Sequence, residues 1–191
     1  MLAGDALQAE AFAVLAGIDD PAAGMRLVGT LARGAGVFGM CGGQSLDLAM
    51  VGEKPDEAEL ARMQSMKTGA LILAAVLMGA QAGDWDALTP ETKAGLVRYA
   101  QSIGIAFQVV DDILDCTQDT ATLGKTAGKD EKDDKPTWVS FLGLEGAKAR
   151  AESLLNEALE ALALIGRDPA VEAGALRRLE EIAHYVTSRT H

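Results

Sequence analysis

The strongest constraint on this fold is the stretch from Pro90 to Cys116, which is apolar through its middle and ends in Asp111, Asp112 and Asp115. Ile103 to Val110 is nearly continuous apolar sequence, so a helix carrying it is central and buried on most sides. At about 100° per residue, Gln108, Asp111, Asp112 and Asp115 project within roughly a 100° arc. They share one face, and at the end of a buried helix that face looks into a cavity. The last turns of a helix already hold the negative end of the macrodipole, so each charge there costs about 0.3–1 kcal/mol, and mutual repulsion adds to this. A cation offsets the cost. An all-oxygen donor set selects a hard cation, such as Mg²⁺ held by a few carboxylates together with substrate phosphate oxygens. For this motif alone the alternative is a solvated acidic helix end.

The rest of the chain supplies no strand to pack against such a helix. Val, Ile and Thr are sparse beside Ala, Leu, Met and Glu, and no alternating apolar and polar run of strand length stands out, which predicts an all-α fold. With 191 residues, 49% of them hydrophobic, residues 1–191 form a single domain with a large core. The formal net charge of −11 argues against a nucleic-acid surface and against anionic lipid, so an anionic substrate needs local cations or metal. The longest uncharged apolar run, Gly69 to Ala82, is shorter than the roughly 20 residues of a membrane span. The first residues lack a basic region and carry an early acid, unlike a signal peptide. The expectation is a soluble, cytoplasmic protein without membrane contact. Cys41 and Cys116 are too few for a disulfide framework and are expected as buried free thiols.

In chain order, residues 5–16 read as a helix with Leu7, Ala11, Val14 and Leu15 on its apolar side. Asp20-Pro21 opens a second helix, running through glycine-rich sequence towards Met50. Gly34-Ala35-Gly36-Val37-Phe38-Gly39 matches G-x-G-x-x-G, but the segment before it reads as helix rather than strand, so a dinucleotide site is not expected. Gln44 and Asp47 are three apart and share a helix face. Asp56 caps a long helix from Glu57 to about Ala82, in which Lys67-Thr68 places a cation and a hydroxyl suited to a phosphate oxygen. A snorkelling lysine is the alternative. Gly83 to Leu88 is a loop, and Thr89-Pro90-Glu91 opens the central helix. Thr122 to Pro136 is a glycine- and lysine-rich loop. Gly124-Lys125-Thr126 does not make a P-loop, because Asp119 stands at the position of its first glycine. This loop sets four lysines directly after the acids. Carboxylates that hold metal and lysines that reach the same anion are what a diphosphate requires. Closing helices are expected over Thr137 to Leu142, Glu145 to Leu164 and Pro169 to Ser188, with His184 on the surface.

Taken together, Gly42-Gly43-Gln44-x-x-Asp47, Lys67-Thr68-Gly69, Phe107-Gln108-x-x-Asp111-Asp112-x-x-Asp115, Thr122-Leu123-Gly124-Lys125 and Lys135-Pro136-Thr137-Trp138 resemble the motifs of trans-polyprenyl diphosphate synthases, with bacterial farnesyl or geranyl diphosphate synthases the nearest in look. The resemblance implies an antiparallel helix bundle of the isoprenoid synthase type around a deep cleft, usually a homodimer. It implies a Mg²⁺-dependent prenyltransferase that ionises an allylic diphosphate, dimethylallyl or geranyl, and joins it to isopentenyl diphosphate to give a short-chain prenyl diphosphate such as farnesyl diphosphate. By motif, Asp111, Asp112 and Asp115 become metal-binding and catalytic, with Asp111 and Asp115 the direct ligands. Lys67, Lys125 and Lys135 contact the diphosphate, and Thr68 and Gln108 line the allylic site.

Members of that family carry a first aspartate-rich motif, followed by arginines, upstream of the Leu-Ala-Gly-Asp segment that this sequence has at residues 2–5. The corresponding expectation is that these residues are the C-terminal two-thirds of a synthase domain, with the N-terminal helices and the isopentenyl diphosphate site missing. The chain alone is then inactive in condensation and exposes apolar surface. The alternative is a non-catalytic, diphosphate-binding homologue or a regulatory subunit of a prenyl synthase.

Overall fold

The computed structural model describes residues 1–117 and 136–189, and every regular element among them is helical. The elements are α1 (Leu2–Ala16), α2 (Pro21–Ala35), α3 (Met40–Ala49), α4 (Glu57–Gln64), a π-turn (Ser65–Gly69), α5 (Ala70–Gln81), a 3₁₀ turn (Trp85–Ala87), α6 (Pro90–Thr117), α7 (Trp138–Ile165) and α8 (Arg177–Ser188). The lysine-rich loop read from the sequence, with Lys125 and Lys135, lies outside the described residues.

Local chemistry sets the helix starts. Asp20 accepts hydrogen bonds from the backbone N–H groups of Ala22 and Ala23, with Pro21 at the first helical position, where its missing N–H costs nothing. Asp56 and Glu59 close a reciprocal capping box on α4, and Thr137 and Ser140 do the same on α7.

Four expectations are revised. The helix expected from Pro21 towards Met50 breaks into α2 and α3, because the backbone leaves the helical well at Gly36 (ψ −157°) and Gly39 (ψ −131°). The helix from Glu57 is continuous but passes through the π-turn at Lys67 and Thr68. That continuity makes Glu57–Gln81 long and apolar enough, by length and composition, to cross a membrane, although no uninterrupted apolar run is. Here the same helix contributes Leu60, Met63 and Ala74 to the buried interior. The last helix begins at Arg177, not near Pro169, since residues 166–176 form turns that include Gly174 at φ +83°. Finally, Cys41 and Cys116 are exposed: Cys41 follows the equally exposed Val37 and Phe38, and Cys116 sits in the last turn of α6.

Helix α6 is the axis. It packs along α7 over most of its length and also meets α5, the π-turn and α8. The core gathers Leu96, Tyr99, Ile103 and Val109 of α6, Trp138, Leu154, Leu162 and Ile165 of α7, and Leu60 and Met63 of α4. At Gly143 the backbone of α7 takes φ +69°, a left-handed value that suits glycine. It bends the helix between the two segments expected from the sequence. Asp168 braces the other end of α6, accepting from the Thr89 N–H, the Thr89 and Thr92 hydroxyls and the Ala170 N–H. These donors, led by Thr92, hold its carboxyl well below the usual carboxylate range. Tyr99, whose hydroxyl donates to the Leu179 carbonyl at 2.7 Å, is pushed up to about 12 by burial. Helix α1, by contrast, packs against α2 with no buried residue, leaving Leu7 and Val14 exposed.

Candidate functional site

The end of α6, the π-turn, α3 and the start of α7 surround a cavity of about 150 Å³ lined by, among others, Asp47, Gln64, Lys67, Gln108, Asp112 and Thr137. Three of the residues singled out in the sequence, Lys67, Gln108 and Asp112, therefore meet at one place from two helices. Met50, Val51 and Met63 form its apolar wall.

Lys67 owes its position to the π-turn and to α3. Its Nζ donates to Asp47 Oδ2 at 2.7 Å, and Gln44 Nε2 donates to the same oxygen at 3.4 Å. The Gln44 and Asp47 pair, unremarkable as sequence, is thus the seat of the lysine. The seat is close because α3 presents Gly43 to the π-turn: a β-carbon at Gly43 would lie 2.2 Å from the Lys67 backbone nitrogen and 2.5 Å from its Cα. Thr68 is half-buried and does not line the cavity.

The acid face of α6 divides its labour. Asp112 Oδ2 accepts the Trp138 backbone N–H at 2.7 Å, so it anchors the first turn of α7, where a negative charge is favoured by the helix dipole. The Trp138 indole donates to the buried Gln64 Oε1 at 2.5 Å, tying α7 to α4. Asp111 Oδ1 accepts from Arg189 Nη2, which also donates to the Phe107 carbonyl at 2.9 Å. The guanidinium lies 4.1 Å from the centre of the Phe107 ring. Asp115, one turn beyond Asp111, is half-buried. Among the described residues no group of three or more His, Cys, Asp or Glu side chains could by itself hold a metal ion.

This arrangement fits a hard cation that takes its remaining ligands from a substrate. Asp111 and Asp115 are oxygen donors on one face, i and i+4, and a cationic group already sits on Asp111. A fully protein-coordinated metal would need a third convergent ligand, whereas Mg²⁺ characteristically takes one or two carboxylates plus phosphate oxygens.

Two partners were not legible in the sequence as parts of this site. Arg189 is 78 residues from Asp111, and no local pattern joins them. Gln64 belongs to none of the sequence motifs, and only its burial at 6% exposure marks it. His184 is exposed, as expected.

Comparison with known proteins gives a consistent picture. The family model for polyprenyl synthetase matches residues 1–164. Farnesyl diphosphate synthase of Escherichia coli (strain K12) is 43% identical across 99% of this chain and 62% of its own length. Among solved structures, an FPP/GFPP synthase from Zymomonas mobilis superposes with a TM-score of 0.77 at 34% identity, covering 96% of this chain and 59% of that one. A geranyltransferase from Helicobacter pylori, complexed with magnesium and isoprenyl diphosphate, superposes with a TM-score of 0.76 at 31% identity, covering 97% and 58% respectively. The chain thus spans about three-fifths of the length of these relatives, and its all-α architecture is theirs.

Proposed function

Because this chain belongs to the polyprenyl synthetase family, we propose that it binds an allylic diphosphate and carries the ionisation chemistry of a short-chain prenyltransferase, the farnesyl diphosphate class being the nearest. The convergence of Lys67, Gln108 and Asp112 on one cavity carries this reading; Asp111 and Asp115 belong to the same helix end but do not line that cavity. Asp111 and Asp115 would hold Mg²⁺, which when bound neutralises charge on the departing pyrophosphate. The Helicobacter pylori relative, solved with magnesium and isoprenyl diphosphate, supports that choice of ion.

Lys67 exchanges Asp47 for a phosphate oxygen, a short swing from a position already fixed by α3. Asp112 keeps α7 docked so that Thr137 stays at the cavity edge. Gln108 lines the cavity beside the allylic group; Thr68, Lys125 and Lys135 are assigned to the substrate by their family motifs alone. Met50, Val51 and Met63 give the cavity an apolar side on which the hydrocarbon end of the substrate would rest. Isopentenyl diphosphate is the second substrate, and the protein acts in the cytoplasm. The exposed Leu7, Val14 and Met25 of the first helices and Phe38 of the turn after α2 support a homodimer.

Calorimetric titration with geranyl diphosphate tests this. Binding should require Mg²⁺ and weaken about tenfold or more in Lys67→Ala and Asp111→Ala, as expected for charge-assisted contacts. With one aspartate-rich motif present, these 191 residues should not by themselves transfer the prenyl group to labelled isopentenyl diphosphate. Binding that is indifferent to both substitutions and to chelation of Mg²⁺ would refute the proposal.

A further inference from the structure

We propose that Arg189 is a resident counter-cation for Asp111, occupying the metal-facing carboxylate in the ligand-free protein and leaving it when a divalent cation and a diphosphate arrive. This rests on the reading of Asp111 as a metal ligand. The Arg189 side chain is 10% exposed, against 45% for Asp111, so the contact is not a casual surface pair. One nitrogen, Nη2, serves both the Asp111 carboxylate and the Phe107 carbonyl, and the guanidinium carbon lies over the Phe107 ring.

The same clasp has a fault built into it. Arg189 Nε is buried without a hydrogen-bond partner, which costs stability and is relieved as soon as the side chain returns to water. Arg189 follows the last residue of α8 in extended backbone (ψ 149°), so it can swing away without unwinding the helix. Its role in the closed state follows from charge. Asp111, Asp112 and Asp115 crowd the negative end of α6, and a guanidinium on Asp111 lowers that repulsion until metal does so. A guanidinium and a divalent cation on one carboxylate repel each other, so occupancy by one disfavours the other. Arg189 acts through Asp111 and is a positioning residue. By linkage, whatever affinity Arg189 takes from the metal, the metal takes from the Arg189 clasp.

That reciprocity gives two measurements. Mn²⁺ affinity, read by electron paramagnetic resonance with inorganic pyrophosphate present, should rise roughly tenfold in Arg189→Gln, the scale of one charge-assisted contact. Asp111→Asn should bind Mn²⁺ more weakly than wild type. In the unmodified protein, tryptic cleavage between residues 189 and 190, quantified by mass spectrometry, should accelerate severalfold when Mn²⁺ and pyrophosphate are added. A merely structural clasp predicts equal or weaker metal binding in Arg189→Gln. That result, with Asp111→Asn still weakened, would overturn the role of Arg189 and leave the metal reading intact. Unchanged affinity in Asp111→Asn would overturn both. Should Arg189→Gln fail to fold, cleavage of the wild-type bond decides, and protection unchanged at saturating Mn²⁺ and pyrophosphate would overturn the proposal.

Discussion

Gly43→Ala perturbs the seat of Lys67 without touching any charged group. The new β-carbon would sit 2.2 Å from the Lys67 nitrogen and 2.5 Å from its Cα, where ordinary contact begins near 3.4 Å. Both obstacles are backbone, so no side chain can turn aside, and α3 must retreat from the π-turn by about 1 Å. Overpacking of this kind costs about 1–3 kcal/mol. For a domain of this size each kcal/mol lowers Tm by about 2–4 °C, giving a drop of about 2–12 °C by circular dichroism. The retreat also stretches the 2.7 Å contact between Lys67 and Asp47, so affinity for Mg²⁺ and pyrophosphate should fall along with Tm. Gly79→Ala is the control: it lies within α5 with nothing within 4 Å of the added carbon, and it should stabilise by about 0.5–1 kcal/mol. If Gly43→Ala melts and binds like wild type while Gly79→Ala behaves as stated, the close approach of α3 does not position Lys67.

The acids of α6 should separate by assay. Asp112→Ala removes the acceptor of the Trp138 N–H and should cost about 1–2 kcal/mol in a urea titration, whereas Asp115→Asn should change stability by no more than about 0.5 kcal/mol while weakening Mg²⁺ binding; the reverse pattern would exchange their roles. Stability should also fall at both ends of the pH scale. Asp168 has a depressed folded pKa, so its contribution is present above the unfolded value of about 3.9 and is lost as pH falls below it; Asp168→Asn should flatten that acid limb of the urea midpoint. Tyr99 is neutral in the fold, with a folded pKa raised to about 12, so its contribution is present below the unfolded value of about 10 and is lost as pH rises towards 12; Tyr99→Phe should remove that alkaline limb.

Features that depend on near neighbours were legible in the sequence. The caps at Asp20 and Asp56 act within three residues, and the common face of Gln108, Asp111, Asp112 and Asp115 follows from helical geometry alone. The division of that face did not follow, because it is set by Trp138 and Arg189, 26 and 78 residues away. Periodicity also carried the helix from Pro21 across Gly36 and Gly39, where glycine tolerates helix and break alike and tertiary packing chose the break. The inward turn of apolar groups was read correctly along α6 and wrongly around Cys41 and Cys116, since the pattern gives the apolar side of a helix but not which neighbours cover it. Lys67 was found as a motif; its partner Asp47 was visible only as the companion of Gln44.

The π-turn between α4 and α5 makes residue count, as well as residue type, a determinant of the site. A π-turn accommodates one residue more than the α-helical ladder would, so the helix before it and the helix after it are about 100° out of phase. Losing a single residue anywhere within Ser65–Gly69 would let the whole segment relax into one uniform helix. Either Lys67 would then leave the cavity or Leu60 and Met63 would leave the core. Substitutions across these five positions can be absorbed one side chain at a time, but a one-codon deletion changes the angular relation of everything on either side. In this stretch, tolerance to change is expected to run along composition and to stop at length.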